Sequence, residues 1–264
     1  MTGPAPAKIN LALVVGPRRE DGKHELATVY QRIDLGDRIT VVPADATTVE
    51  GFREDTIVRS ALEELAAPHG WRVRIEKHVP VAAGLGGGSS DAATALRLAN
   101  EQLDEPRPLR EIAARVGADV PFFLHDGPQL GTGDGTMLEP LDLPQDFVVL
   151  LLLPNDVHKR STAHVYDDFD ARGGEEGYAN RISTLRATLA NVRRPRDLAA
   201  LPPNDLATSP LADELRAHGA FRADVSGAGP AVYGLFGRVA DARRAGRALR
   251  RRGRYWVTIP AWYG

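Results

Sequence analysis

The sequence has no cysteine. That excludes disulfides, thiolate nucleophiles and cysteine-based zinc sites together. Aromatic residues are sparse, at 6%, and the longest aliphatic run, Phe147 to Leu153, is far too short to cross a bilayer. Charge of one sign is lacking as well. The formal net charge is -2, so nothing draws the chain electrostatically to nucleic acid or an anionic membrane. No internal repeat or low-complexity segment is visible. The opening residues, MTGPAPAKINL, show no basic region followed by an apolar core. They do not read as a secretion signal, and the cytoplasm is the default address.

What is present is ordinary in bulk: 264 residues, 43% apolar and 26% charged. That length supports one large or two modest domains, each with its own core. "AKINLALVV" alternates, with Ile9, Leu11 and Leu13 on one face and Lys8, Asn10 and Ala12 on the other, as in a half-buried strand. Asp21-Gly22 marks a hairpin or bent loop. "DRITVVPA" predicts another strand, and Thr56 to Ala66 a helix. "WRVRIEKHV" alternates again, placing Trp71, Val73, Ile75 and Lys77 on one side. Ala92, Leu96, Ala99 and Leu103 recur at helical spacing, and a further helix covers roughly Leu109 to Val116 with Gly117 as its stop.

"FVVLLLLP" predicts a buried strand that opens a second half. Helices are expected in "GEEGYANRISTLRATLANV" and from Ala240 to Gly253. Between them, "FRADVSGAGPAVYGLF" predicts two short strands about a glycine turn, and a strand from Tyr255 to Ile259 closes the chain. The order is that of an α+β sandwich, not of a parallel doubly wound sheet. The boundary is expected to divide residues 1–145 from 146–264.

The most informative stretch is "HVPVAAGLGGGSSDAATALRLAN", His78 to Asn100. Gly84, Gly86, Gly87 and Gly88 crowd together where a helix begins. Glycine allows positive φ and close approach of a ligand to the backbone. Free N–H groups and the helix dipole then make an anion site. Ser89 and Ser90 add hydroxyls, and Asp91 is placed to cap the helix. The plainer reading is a flexible loop before a capped helix. A Walker A motif is excluded because no Gly-Lys-Ser/Thr follows, and Ser89 stands where the dinucleotide fingerprint needs its last glycine.

The stretch Pro80 to Ala93 does resemble the phosphate-loop signature of the GHMP kinases. "PAKINLAL", "GADVPFFL" and "SGAGPAVYGLF" resemble the branch that phosphorylates a 4-diphosphocytidyl-2-C-methylerythritol in non-mevalonate isoprenoid synthesis. The likeness spans most of the chain and is weakest from about Asn155 to Ala220. It implies a two-domain α+β fold, with an N-terminal half like ribosomal protein S5 domain 2, a ferredoxin-like C-terminal half, and the active site between them.

The resemblance also implies roles. Asp119, isolated among apolar residues in "GADVP", reads either as a cap before Val120-Pro121 or as a base, and the family match makes it the catalytic aspartate. Lys8 would act beside it on the acceptor oxygen, with Asn10 on the same face toward the substrate. On residues alone, Lys8 reads as a lysine on a solvated strand face, the commoner fate of a lysine. His24 matches a histidine that hydrogen-bonds cytosine. Lys23 stands where the branch usually has a stacking tyrosine, and an aromatic expected before Asn204-Asp205 is replaced by Pro202 and Pro203. Tyr30 and Tyr178 are possible stand-ins. ATP is expected on Pro80, Ala83, Gly84, Leu85, Gly86, Gly87, Gly88, Ser89, Ser90 and Asp91. Thr56 and Ile57 are nearest the adenine position. Ser226, Gly227 and Gly229 would approach the substrate phosphates, unless that turn is a plain hairpin. "GTGDGT" from Gly131 reads as a surface turn. Mg2+ is implied by ATP, resting mainly on phosphates with Ser90 as a protein contact. The expected partner is a small-molecule substrate, with no nucleic acid and no membrane, in a monomer or homodimer. Two other readings stand beside this one: a GHMP kinase for a mevalonate-like or homoserine-like alcohol, and a non-catalytic nucleotide sensor.

Overall fold

The computed structural model describes residues 1–52, 57–155 and 161–261. Its first sheet is built on two long antiparallel strands, β1 (Thr2–Arg18) and β2 (His24–Ala44). β3 (Thr48–Glu50), β4 (Gly70–Glu76), β5 (Gln129–Gly133) and β6 (Met137–Pro140) complete it in the order β3-β4-β2-β5-β6, with β1 also paired to β2. Three helices cover one face: α1 (Ile57–Leu65), α2 (Gly87–Asn100) and α3 (Leu109–Val116). The second sheet has the order β10-β7-β9-β8, from β7 (Val148–Pro154), β8 (Arg222–Val225), β9 (Val232–Phe236) and β10 (Gly253–Thr258). α6 (Pro210–Ala217) and α7 (Val239–Leu249) pack on this sheet, whereas α4 (Thr162–Ala171) and α5 (Tyr178–Asn191), also from the second half of the chain, pack against residues of β1. The result is a mixed α+β fold with two sheets, and their facing residues share one core: Ile9, Leu11, Val29 and Ile33 meet Val149, Leu151, Tyr233 and Leu235.

Several expectations change in detail. "DRITVVPA" is not a separate strand but the second half of the 21-residue β2. β1 is not half-exposed, because Ala5 to Gly16 are all buried. Its register shifts between Asn10 and Ala12, where Leu11 is an extra residue. Such a bulge breaks strict alternation and re-aims side chains, a common device beside active sites. Gly117 does follow α3, but with φ 175, so it ends the helix in extended backbone and not in a left-handed turn. α4 and α6 were not legible from periodicity. Each is short and buries only two residues along its length.

α2 is the central helix. It is rich in alanine, the best helix former, and its small side chains let it lie close against β1 and β2. Gly86, at φ 68, is its N-cap and no side chain caps the turn. Asp91 therefore does not cap. It lies one turn into α2, buried, with Lys77 Nζ 2.9 Å from its Oδ2. The reason is helical phase: Asp91 is five residues past the cap and points to the interior under β4.

Candidate active site

Two cavities meet in the cleft between the halves. One, about 450 Å³, is lined by Pro80, Ala83, Gly84, Leu85, Gly86, Gly87, Gly88 and Ser89, with Phe52 and Ile57 as an apolar wall. The other, about 550 Å³, is lined by Lys8, Asn10, Lys23, His24, Tyr30, Tyr166, Gly227 and Gly229 among others. Gly84, Gly86, Ser89, Asp119 and Thr162 border both. Ser90 and Asp91 border neither. Thr56, expected near a base, lies outside the described residues.

Most of the glycine loop is crowded by the protein itself. A methyl on Gly84, which has φ 80, would run into the Ser226 carbonyl and approach Gly229 O at 3.1 Å. One on Gly86 would lie 3.0 Å from Lys8 Cγ and from Phe123 Cζ. One on Gly87 would lie 3.1 Å from Val79 Cγ1 and 3.3 Å from Lys77 Nζ. Only Gly88 has room, its nearest neighbour being Ile57 Cδ1 at 3.4 Å. This separates two effects in one experiment. Gly84→Ala is expected to lower stability by roughly 2–4 kcal/mol, from left-handed strain and displaced backbone. Gly88→Ala should leave stability unchanged or raised by up to about 1 kcal/mol, and raise KM for ATP several-fold. Urea unfolding and steady-state kinetics of both variants check this. An unaltered KM in Gly88→Ala would place the nucleotide elsewhere.

The second glycine turn is latched to the first. Ser226 Oγ donates to Gly84 O at 2.9 Å, and Ala231 N donates to Ala83 O at 3.1 Å. Ser226 is fully buried and does not face either cavity, whereas Gly227 and Gly229 line the larger one. Gly227, at φ 57, sits over Lys8 and Asn10. Asn204 and Asp205 serve the same closure. Asn204 Nδ2 donates to Val225 O and Gly227 O, and Asp205 Oδ2 accepts from Val15 N and Arg181 Nε. Both side chains are committed to these contacts, with Asn204 Oδ1 also accepting from Leu206 N.

At the junction, Lys8 Nζ lies 3.4 Å from Asp119 Oδ2, with side-chain exposures of 5% and 30%. The lysine is thus sheltered and the carboxylate reachable. Lys8 Nζ also donates to Asn10 Oδ1 at 2.7 Å, Asn10 Nδ2 to Thr28 Oγ1 at 2.7 Å, and Thr28 Oγ1 to Ala12 O at 2.9 Å. This relay fixes the Asn10 amide and aims the ammonium. Asp119 does not cap the 3₁₀ turn that follows it, Pro121–Leu124, whose cap residue is Val120. Its Oδ1 accepts from Tyr30 Oη at 2.9 Å. Burial first, then the charge of Asp119, pushes the Tyr30 phenol well above its ordinary value, so it stays a donor.

The wall around His24 is supplied by residues the sequence did not single out. The Tyr166 ring stacks on His24 with centroids 4.8 Å apart and an interplanar angle of 24°. Asp170 Oδ1 accepts from His24 Nε2 at 2.7 Å, and Phe169 meets the imidazole edge-on. Burial, with Asp119's charge adding, pushes the Tyr166 phenol up to about 12. All three lie on α4, inside the stretch where the family likeness fades. The legible signal was an aromatic three residues before another, Tyr166 and Phe169, on one helix face. Tyr178 is no substitute, since its ring packs against Gly16 in the core. Lys23 binds Asp134 at 2.6 Å, at the mouth of the larger cavity. Asp134 belongs to the "GTGDGT" turn, so that turn is part of the cavity wall as well as a hairpin tip.

Beneath the smaller cavity lies a second charged group. Lys77 Nζ donates to Asp37 Oδ2 at 2.6 Å and to Asp91 Oδ2 at 2.9 Å, and both carboxylates are buried. Its signal was present in "WRVRIEKHV": a lysine at a core-facing strand position requires a buried counter-charge.

The uncapped start of α2, with its N–H groups opening on a cavity floored by glycine, suits a polyphosphate. For Mg2+ the fit is partial. Among the described residues no group of three His, Cys, Asp or Glu could hold a metal. Ser90, the expected protein contact, has an Oγ without a hydrogen-bond partner among them but is fully buried and borders neither cavity, whereas Ser89 borders both.

The sequence matches the family profile of the GHMP kinases N terminal domain over residues 55–127 and that of the GHMP kinases C terminal over 197–254. A 4-diphosphocytidyl-2-C-methyl-D-erythritol kinase of Salinibacter ruber is 38% identical, over 97% of each chain. A crystal structure of 4-(cytidine 5'-diphospho)-2C-methyl-D-erythritol kinase superposes with a TM-score of 0.77 at 33% identity, covering 99% of this chain and 100% of that one. A mevalonate kinase structure shares the fold alone, with a TM-score of 0.75 at 12% identity over 98% and 99% of the chains. With two sheets, a glycine loop at a helix start and this likeness along nearly its whole length, the chain belongs to the GHMP small-molecule kinases, in the 4-diphosphocytidyl-2-C-methyl-D-erythritol kinase family.

Proposed function

We propose that this kinase transfers the γ-phosphoryl group of ATP to the 2-hydroxyl of 4-diphosphocytidyl-2-C-methyl-D-erythritol. The observation that carries the mechanism is the Lys8–Asp119 pair at the border of the two cavities. ATP occupies the glycine-lined cavity with its phosphates against the start of α2. The acceptor alcohol enters the larger cavity and meets Lys8 and Asp119. Asp119 takes the hydroxyl proton as the alcohol oxygen forms its bond to phosphorus, and the bond to ADP breaks. Lys8 stabilises the charge that develops on that oxygen. Mg2+ bound with ATP would be held mainly by the phosphates, whose charge it would offset.

With Nε2–H held by Asp170, the Nδ1 of a neutral His24 ring would accept a hydrogen bond, which suits the amino group of cytosine. Tyr166 supplies the aromatic face that Lys23 cannot. Replacing Tyr166 with Leu is expected to raise KM for the cytidyl substrate about 5- to 100-fold, the equivalent of roughly 1–3 kcal/mol of base stacking, with KM for ATP unchanged. The deciding experiment is coupled ADP release with 4-diphosphocytidyl-2-C-methyl-D-erythritol, mevalonate and homoserine offered separately, with cytidine diphosphate as competitor. Turnover of the first alone, inhibited by cytidine diphosphate, is the expected result. Turnover of another alcohol, insensitive to cytidine diphosphate, would overturn the reading.

A further inference from the structure

The "GTGDGT" hairpin has a use that the phosphate loop and the cytidyl wall leave unassigned. A methyl on Gly131 would lie 2.6 Å from Tyr30 Cε2, and one on Gly135 would lie 2.8 Å from Tyr30 Oη. These two glycines hollow out a slot for the Tyr30 ring. Phe122, just beyond Asp119, closes the slot by stacking on that ring with centroids 4.8 Å apart at 25°. Tyr30 sits opposite Asn10 on β1 and Gln129 on β5, so its backbone is held on both sides. The ring is 3% exposed. A side chain gripped this firmly presents its hydroxyl at one place, and that place is Asp119 Oδ1, at 2.9 Å.

We infer that Tyr30 is a positioning residue for phosphoryl transfer. Its hydroxyl occupies Oδ1 of Asp119 and so turns Oδ2 toward Lys8 and the acceptor hydroxyl. Two contacts, Tyr30 on one oxygen and Lys8 on the other, define the rotation of the carboxylate about its last bond. Without the first, the carboxylate swings, and the productive geometry is populated for a smaller part of the time. Tyr30 stacks on no base in this role, because Phe122 stacks on its ring, the Lys8 ammonium lies over it 5.6 Å from the centroid, and the residue is 3% exposed.

The inference rests on Asp119 being the base, and the test separates the two. Tyr30→Phe keeps the ring, its slot and the Phe122 contact. It is expected to lower kcat about 10- to 100-fold, the worth of a hydrogen bond to a charged group, with both KM values within about two-fold and the thermal midpoint nearly unchanged. In an Asp119→Asn background the same change should have no further effect on single-turnover rate, since the carboxylate it positions is gone. Wild-type kcat in Tyr30→Phe, a loss confined to KM, or an equal loss in both backgrounds would each overturn the inference. Wild-type turnover in Asp119→Asn alone would instead overturn the assignment of the base.

Discussion

Asp119→Asn is expected to lower kcat by about 10²- to 10⁴-fold, the usual contribution of a positioned general base, while ATP still binds. The substitution keeps the shape of the side chain but removes its ability to take the acceptor proton. It also turns an amide N–H₂ group or a neutral oxygen toward Lys8, 3.4 Å away, which ends the ion pair. Lys8→Met keeps the stem that packs under Gly86 and removes only the ammonium. It should reduce kcat by about 10²- to 10³-fold, as for loss of one preorganised electrostatic contact. Single-turnover rates, with ATP affinity measured separately by titration, check both. Because the two groups act on one oxygen, the double variant should lose little more than the worse single one. Retained wild-type turnover in Asp119→Asn would remove the chemistry from this junction.

Asp37→Ala is expected to destabilise the fold by about 3–5 kcal/mol, the loss seen when a buried ion pair keeps one partner. Asp37 accepts from Lys77 Nζ, His78 N and Val79 N, and it is fully buried on β2. It therefore ties the sheet to the residues that lead into the glycine loop. Asp91 shares the same ammonium but takes no backbone donor, and its Oδ1 has no hydrogen-bond partner among the described residues. Burial with so few donors favours the neutral form of the Asp91 carboxyl. Burial pushes it up to about 8, with Lys77 opposing and Asp37 adding.

The sign of the pH effect follows. A carboxyl whose folded pKa lies above its unfolded value stabilises the fold fully below about pH 4 and loses that contribution as pH rises toward about 8. Asp91→Asn mimics the protonated form. Its stability relative to the natural chain should improve steadily across that window, whereas Asp37→Ala should be damaging throughout. Urea unfolding at several pH values distinguishes them. Equal damage from both substitutions at pH 7 would refute this division of labour.

Much of the site is legible in the amino-acid sequence. "PAKIN", the glycine run, "GADVP" and "SGAGP" are local signatures: each needs only its own few residues to set a turn, a helix start or an isolated acid. All four converge on the cleft. What escaped was non-local. Tyr166, Phe169 and Asp170 come from a helix with weak family likeness, and they reach His24 only because α4 packs across the end of β2. Asp91 looked like a cap because a helix start favours acids, but five residues past the cap its phase points inward. Tyr30 was a candidate base-stacker until its ring proved to be buried against Phe122 with the Lys8 ammonium over it.

By itself the sequence determined the family, the phosphate loop and the identity of the lysine and the acid, since these depend on residue types at short, fixed spacings. Only the tertiary structure decided which way those groups face and what surrounds them. A bulge in β1, a slot cut by two distant glycines and a helix from the other half bring together residues far apart in the chain. Orientation at that scale is settled by packing, and packing is a property of the whole fold.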